Sequence, residues 1–397
     1  MVMEIDLGPQ AEKFRLEFRD WLEANKPASL EGYDDPNANP DTPELIDWAE
    51  KLREGGYLCV TWPEKFGGRG LSAAEVAVMN EELHAAGLPR VTRGMGENLV
   101  GPAIIAHGTD DQRERFLPRI ISGEDRYCQG FSEPDSGSDL ASLKTRGIID
   151  GDELVITGQK VWTSWFWRAN MLFCLCRTDP EAPKHQGISY VLIPLKRDDG
   201  SENGIEFRPL RQITGESHFA ETFIEEARAP LSNVIGGLNN GWRVAMTTLG
   251  SERGGSATTQ HVQFRREFWK LVKAARERGK IEDPIVRQRL AWAYSRVEVM
   301  RYQGLRLLSA LLADQNPGPG GSINKMYWSE YQRRMAEYAV EILGPESMIV
   351  GEEYELEYFQ RQFLQTRGHT IWGGTAEIQR NIVGERLLGL PKEPRPS

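Results

Sequence analysis

Cysteine is scarce: four occur in 397 residues. Cys174 and Cys176 lie two apart, so on a strand they share a face, and Cys59 and Cys128 are distant in sequence. That spacing supports neither a disulfide framework nor a zinc cluster, and reduced thiols in a cytosolic protein are the simplest reading. No apolar run has the length needed to span a bilayer. The start, Met1-Val-Met-Glu-Ile-Asp6, lacks the basic segment and apolar core of a secretory signal. There is no P-loop, no G-x-G-x-x-G after a strand, no H-E-x-x-H, no heptad pattern and no internal repeat. Positive charge is also in deficit: 48 Lys+Arg against 58 Asp+Glu leave a net charge of -10. An acidic surface disfavours nonspecific binding to nucleic acid or anionic lipid.

What is present is the composition of a soluble globular chain, 40% apolar and 27% charged. Its length exceeds what one hydrophobic core usually serves, so two or three domains are expected. Residues 1–125 read as helical. Phe14, Phe18, Trp21 and Leu22 fall at i, i+4, i+7 and i+8, and Pro27 follows the end. Residues 31–42 are polar and turn-rich; helical pattern resumes over Leu45–Leu52, Ala73–Ala86 and 111–122.

Across 126–236 the period shortens. Leu154–Ile156, Met171–Cys176, Ile188–Ile193, Ile205–Phe207 and Phe219–Ile224 are short, rich in β-branched and aromatic residues, and bounded by turn signals, which predicts a β domain. Residues 237–397 return to helix. Asp283 caps a predicted helix with Pro284 at its first position, running to about Asp314. Asn316-Pro-Gly-Pro-Gly-Gly321 breaks it, another helix spans about Lys325 to Leu343, and a last one starts near Thr375. The pattern has no βαβ alternation, which excludes a doubly wound nucleotide fold.

Three segments are rich in glycine, hydroxyls and aromatics. Gln129-Gly-Phe-Ser-Glu-Pro-Asp-Ser-Gly-Ser-Asp139 would donate many hydrogen bonds to a polyanion or a flavin edge; its plain alternative is an interdomain turn. Gly158-Gln-Lys-Val-Trp-Thr-Ser-Trp-Phe-Trp167 offers Trp162 with Thr163 and Ser164 as a wall for a planar heterocycle. Trp165 and Trp167, sharing one strand face, are expected to be core. Thr370-Ile-Trp-Gly-Gly-Thr-Ala-Glu-Ile-Gln-Arg380 places Gly373-Gly374 before a helix start, where free amides can take an anion or a polarised carbonyl oxygen; the alternative is an ordinary capped helix.

Together these segments resemble the acyl-CoA dehydrogenase family over nearly the whole chain. Ser132-Glu-Pro-Asp-Ser-Gly-Ser-Asp139 is similar to its T-E-P-x-x-G-S-D signature, Lys160-Val-Trp-Thr-Ser164 to K-x-W-I-T, and Gly374-Thr-Ala-Glu-Ile-Gln-Arg380 to G-T-x-E-I-Q-R. Gly241-Trp-Arg-Val-Ala-Met246, followed by Glu252-Arg-Gly254, resembles the helix leading to E-R-G. The resemblance implies an α+β multidomain fold: an N-terminal helical domain, a central β-barrel or sandwich, and a C-terminal four-helix bundle. It implies FAD, with the Phe131 amide and Ser132 hydroxyl at the flavin pyrimidine edge, Trp162 and Thr163 beside the ring, and Ser164 near N5. Ser138 would touch the CoA arm or the pyrophosphate, and Thr375 and Glu377 the rest of the dinucleotide.

The reaction implied is α,β-dehydrogenation of an acyl-CoA thioester, with electron-transferring flavoprotein as acceptor. A carboxylate removes the α proton while hydrogen bonds to the thioester oxygen, one from the Gly373 amide, stabilise developing enolate. Many members carry Glu where this chain has Gly373. A minority branch places the base on the helix before the bundle, and Glu252 matches that place, with Arg253 lining the same pocket.

Three departures fall on the surface that, in family homo-oligomers, completes a neighbour's adenine site. The R-x-x-F-G loop is reduced to Arg278-Gly-Lys280, Pro284 stands in the place of a Gln, and Glu341-Ile-Leu-Gly-Pro345 replaces Q-x-x-G-G. Glu341 brings negative charge where a neutral amide suits a dinucleotide, and an unpaired buried charge is costly. The expectation is a heterotetramer with a paralogous subunit, similar to the paired acyl-CoA dehydrogenases of actinobacterial steroid side-chain degradation, acting on a bulky steroid acyl-CoA. The alternatives are a homotetramer acting on simple fatty or branched acyl-CoA, a flavin oxidase, or a silent subunit.

Overall fold

The computed structural model describes residues 7–30, 33, 42–254, 260–313 and 320–392, with the side chains of 252–254 outside that description. Most of the loop expected over 31–42 therefore lies outside the described residues. The chain forms two compact units: Met1–Leu210 with Ser217–Glu252, and Arg211–Glu216 with Arg253–Ser397.

Among the described residues the first unit opens with the α-helices α1 (Gly8–Asn25), α2 (Pro43–Glu54), α3 (Ala73–Ala85), α4 (Gly101–His107) and α5 (Asp110–Ser122). Phe14, Phe18 and Leu22 of α1 pack against Trp48 and Leu52 of α2 and Val78 of α3 in one cluster. Each such side chain gains roughly 1.5–3 kcal/mol on full burial. Ser72 and Glu75 form a reciprocal capping box at the start of α3, as Thr109 and Gln112 do for α5.

The strands are β1 (Tyr127–Gly130), β2 (Arg146–Asp150), β3 (Glu153–Ser164), β4 (Met171–Arg177), β5 (Ile188–Pro194), β6 (Ile205–Leu210), β7 (Phe219–Pro230) and β8 (Val234–Ile235). They form one sheet in the order β6-β7-β3-β2-β4-β5-β8, with β1 parallel to β4. Leu154 and Ile156 of β3 and Ile224 and Ala227 of β7 share a core with Leu172 and Cys174 of β4 and Val191 of β5. Residues far apart in strand order meet in that core, so the sheet folds over itself as a sandwich. All four cysteines are buried free thiols. The other sheet face packs on α4 and α5 through Ile104, Phe116, Phe173 and Tyr190.

Helix α6 (Gly241–Gly254) belongs to this unit as far as Glu252. Gly241 is required by close approach: an added Cβ would lie 2.3 Å from the Ser189 carbonyl carbon. Val244 and Ala245 join the core of Tyr190 and Ile235.

The second unit contains α7 (Gln260–Glu277), α8 (Pro284–Leu312), α9 (Gly320–Leu343), α10 (Tyr358–Gln365) and α11 (Ala376–Ile382). The first four share a core that includes Phe264, Phe268, Leu290, Val297, Tyr331, Met335 and Phe359. The Asp283 carboxylate accepts from the amides of Ile285 at 2.7 Å and Val286 at 3.3 Å, capping α8 ahead of Pro284. The glycine-rich breaker expected to reach Gly321 is shorter at its end: α9 already starts at Gly320, while residues 316–319 and Asp314 lie outside the described residues. Among the described residues no helix is long and apolar enough to cross a membrane.

Candidate active site

Two segments of the first unit, separated in sequence, are brought together. Where β1 ends, the Ser132 carbonyl accepts from the Val161 amide at 2.9 Å, placing Phe131-Ser132 beside the end of β3. The Lys160 side chain, fully buried, donates to the Phe131 carbonyl at 3.2 Å and to Glu133 Oε1 at 2.8 Å. Glu133 also accepts from the amides of Lys144 at 2.7 Å and Thr145 at 2.8 Å. Burial pushes the Glu133 carboxyl up, but the Lys160 charge and these donors outweigh it and hold it below the usual carboxylate range. The carbonyls of Phe131 and Ser132 are thus consumed. Among the described residues no acceptor takes their amides, and no partner takes the Ser132 or Ser164 hydroxyl.

A register shift against β7 between Lys160 and Thr163 re-aims the chain here. Trp162 adopts φ 63; the residue is 59% exposed and its ring is edge-on to Phe219 at 6.1 Å. Ser164 is half-buried at the strand end. Thr163 corrects the expectation for its side chain: it is fully buried, and its hydroxyl accepts from Thr222 at 2.7 Å. Only its backbone can face a ligand. The Trp165 and Trp167 expectation is also corrected. Strand β3 ends at Ser164, Trp165 takes φ 65, and the two indoles stack on each other at 5.6 Å while 37% and 46% exposed. They leave the pleat before its alternation can bury them.

Ser138 is exposed on the loop that follows the Glu133–Ser136 bridge. Its neighbour Asp139 is held by Ser142 at 2.6 Å and Lys184 at 2.5 Å. Glu252 and Arg253 occupy the last turn of α6, and their side chains lie outside the described residues. The helix that carries them is fixed by His107 Nε2 against Thr247 Oγ1 at 2.7 Å, and the Ser251 hydroxyl donates to the Thr247 carbonyl at 3.1 Å.

In the second unit the segment before α11 makes a tight corner. Gly373 and Gly374 have φ 62 and 91, which only glycine adopts freely, and a Cβ on Gly374 would sit 2.6 Å from Gln379 Nε2. Lys325 Nζ, buried on α9, donates to the carbonyls of His369 at 2.9 Å and Gly374 at 2.8 Å. Gln379 Nε2 donates to the Gly373 carbonyl at 2.9 Å. The Gly373 and Gly374 amides have no acceptor among the described residues. His369 Nδ1 and Gln379 Oε1 are buried without a hydrogen-bond partner among the described residues. Burial, then the Lys325 and Arg367 charges, push the His369 imidazole down to about 4, so it is neutral between Trp328 and Trp372. Thr375 accepts from the Ile378 amide at 3.2 Å, so the capped-helix reading of this segment holds alongside its free amides. Glu377 is exposed beside Arg380.

On the surface with the three departures, Glu341 is neutralised, not unpaired: it forms an ion pair with Arg289, whose guanidinium lies 5.0 Å over Tyr338. Arg278 pairs with Glu346 at 2.9 Å. Pro284, Ile285, Gln288, Arg289, Trp292 and Tyr338 line a groove of about 430 Å³.

Comparison with known proteins decides the family. Three family models match in order: the acyl-CoA dehydrogenase N-terminal domain over residues 8–124, middle domain over 128–226 and C-terminal domain over 239–388. The chain belongs to the acyl-CoA dehydrogenase family. It is an oxidoreductase with that family's fold. It is 41% identical to acyl-CoA dehydrogenase IpdE1 of Mycobacterium tuberculosis, covering 96% of this chain and 98% of the relative. The solved Tcur3481-Tcur3483 steroid acyl-CoA dehydrogenase superposes with TM-score 0.80 at 31% identity, over 98% of this chain and 100% of that one. The ChsE4-ChsE5 complex from Mycobacterium tuberculosis gives TM-score 0.76 at 28% identity, over 98% and 100%.

Acyl-CoA dehydrogenases use FAD, and the residues present suit it. Among the described residues the Phe131 and Ser132 amides and the Ser132 and Ser164 hydroxyls have no partner and Trp162 is exposed, donor and ring chemistry that fits a flavin edge. Sequence reasoning missed the residues that prepare these surfaces: Glu133 and Lys160 inside the quoted motifs, and Lys325, His369 and Gln379 around the glycine corner. Lysine in an otherwise apolar strand alternation was the available signal for Lys160, since an ammonium is almost never fully buried unless paired.

Proposed function

We propose that this chain is the catalytic subunit of an FAD-dependent acyl-CoA dehydrogenase that places a trans α,β double bond in a bulky steroid acyl-CoA. Phe131, Ser132, Trp162, Ser164 and the Thr163 backbone would hold the flavin, with Thr375 and Glu377 on the remainder of the dinucleotide and Ser138 on the CoA arm or pyrophosphate. A bound flavin would supply the two-electron acceptor for the β hydride, with an electron-transferring flavoprotein as the onward acceptor. Glu252 takes the α proton, with Arg253 in the same pocket. The Gly373 amide receives the thioester oxygen, where charge grows as the proton leaves; one such donor is worth about 10²–10³ in rate.

The observation that carries this reading is the motif order on a matching fold, with Gly373 in the place of the usual base and Glu252 as the available carboxylate. The steroid class is supported by the named steroid acyl-CoA dehydrogenase at 31% identity. A paralogous partner is supported by the two-component names of both solved relatives and by Pro284, Arg289 and Glu341 occupying the surface expected to complete a neighbour's cofactor. A three-domain division at 1–125, 126–236 and 237–397 accompanies this reading.

Anaerobic bleaching of the flavin by straight-chain, branched and steroid acyl-CoA esters tests the substrate class. Fastest bleaching by a steroid ester is expected; bleaching by short straight chains alone would contradict it. Flavin content and size of the chain expressed alone and with a paralogue test the partner. Full flavin occupancy in a homotetramer of this chain would remove the case for one.

A further inference from the structure

We propose that Lys325, seconded by Gln379, is a positioning residue for the dehydrogenation, holding the Gly373–Gly374 corner so that its amides are presented for an oxygen ligand. The inference rests on the assignment of the Gly373 amide to the thioester oxygen.

The argument is one of peptide planes. In a trans peptide the carbonyl and the following N–H point in opposite directions. Gln379 Nε2 holds the Gly373 carbonyl at 2.9 Å, which turns the Gly374 N–H away from that clamp. Lys325 Nζ holds the Gly374 carbonyl at 2.8 Å, which does the same for the Thr375 N–H. On the other side, the Trp372 amide donates to Gly368 at 3.0 Å and its ring stacks on His369 at 4.9 Å. Lys325 also grips the His369 carbonyl at 2.9 Å, so one ammonium ties both ends of the turn. The Gly373 N–H is therefore trapped between fixed planes, in a pair of glycines that would otherwise have wide conformational freedom. Gln379 is itself fully buried on α11 and Lys325 nearly so on α9, so the corner is referenced to two helices. A donor that must meet charge only as it develops gains from being fixed beforehand, because no reorganisation is then needed at the moment of reaction.

The test uses the flavin-loaded oligomer in excess FAD, comparing wild type, Lys325→Met, Lys325→Arg and Gln379→Met. Steady-state turnover is measured with the acyl-CoA that bleaches the flavin fastest. A second readout is α-proton exchange in D2O with the 3-thia analogue of that ester. There the α C–H breaks, its electron pair moves into the thioester as enolate, the carboxylate holds the proton, and no β hydrogen is available to leave. Lys325→Met is expected to keep KM within about threefold while kcat and the exchange rate both fall about 10–100-fold. Lys325→Arg, which keeps a cationic donor, should recover most of that loss. Gln379→Met, releasing one carbonyl only, should fall about fivefold in both and carries the test if Lys325→Met does not fold. Unchanged exchange in the variants beside an active wild type would overturn the clamp alone, as would loss of flavin in excess FAD. A flavin-loaded wild type that neither bleaches nor exchanges with any CoA thioester would overturn the dehydrogenase reading together with it.

Discussion

Each unit of the molecule uses a buried lysine to hold a loop whose backbone amides have no acceptor among the described residues, and the bonds described for the two lysines end on different groups. In the first unit Lys160 meets a carboxylate, Glu133, as well as the Phe131 carbonyl. In the second, the acceptors described for Lys325 are carbonyl dipoles of His369 and Gly374. A full counter-charge makes the Phe131-Ser132 edge part of the fold, because breaking a buried pair strands the remaining charge. At the Gly373–Gly374 corner the two carbonyl bonds from Lys325 fix the orientation of the peptide planes.

The sharpest way to break that comparison is Lys160→Met. It strands Glu133, so stability should drop by about 3–5 kcal/mol and flavin should be lost with it. Urea denaturation followed by far-UV circular dichroism measures this, and a loss below about 1 kcal/mol would show that the pair does not anchor the edge. Next in size is an acid–base effect on the second unit. Glu267, buried between α7 and α9, accepts from Gln332 at 3.1 Å and Gln263 at 3.0 Å. Burial outweighs both amides and raises its carboxyl from 4.5 to about 7. The folded state then binds more protons than the unfolded one between those values, so stability falls as pH rises through that window, by about 3 kcal/mol in total. Denaturation midpoints across the window should slope downward, and Glu267→Gln should flatten them; a slope that survives that change would assign it elsewhere.

A smaller effect separates the buried from the exposed side of β3. Thr163→Val removes the acceptor for Thr222 and should cost about 1–2 kcal/mol while leaving the flavin absorption spectrum unchanged. A shifted spectrum would return the Thr163 side chain to the cofactor. Smallest of all, Trp165→Ala should change stability by about 0.5 kcal/mol or less, as for other surface positions, and leave the spectrum alone, whereas Trp162→Ala should shift it.

The helix and strand pattern was legible because burial imposes a period. Phe14, Phe18 and Leu22 read as one face and are one face, and the same period in Phe264, Phe268, Leu271 and Ala275 marks α7, which went unremarked. The Asp283-Pro284 start of α8 was readable because capping is local chemistry. The failures occur where backbone conformation overrides period. Trp165 and Trp167 were assigned to a pleat that ends one residue earlier, at a left-handed turn that sequence spacing does not encode. Glu341 looked costly because its partner Arg289 lies 52 positions away in sequence, on another helix. Lys160–Glu133 and Lys325 on the glycine corner are likewise long-range pairings, which motif strings contain but do not connect.

The account turns on Glu252 as the proton acceptor, and the most direct measurement is single-turnover flavin reduction by the preferred acyl-CoA in Glu252→Gln. The account predicts a variant with wild-type flavin content and fold whose reduction is slower by about 10³-fold or more. Reduction at the wild-type rate would contradict it and require a different base.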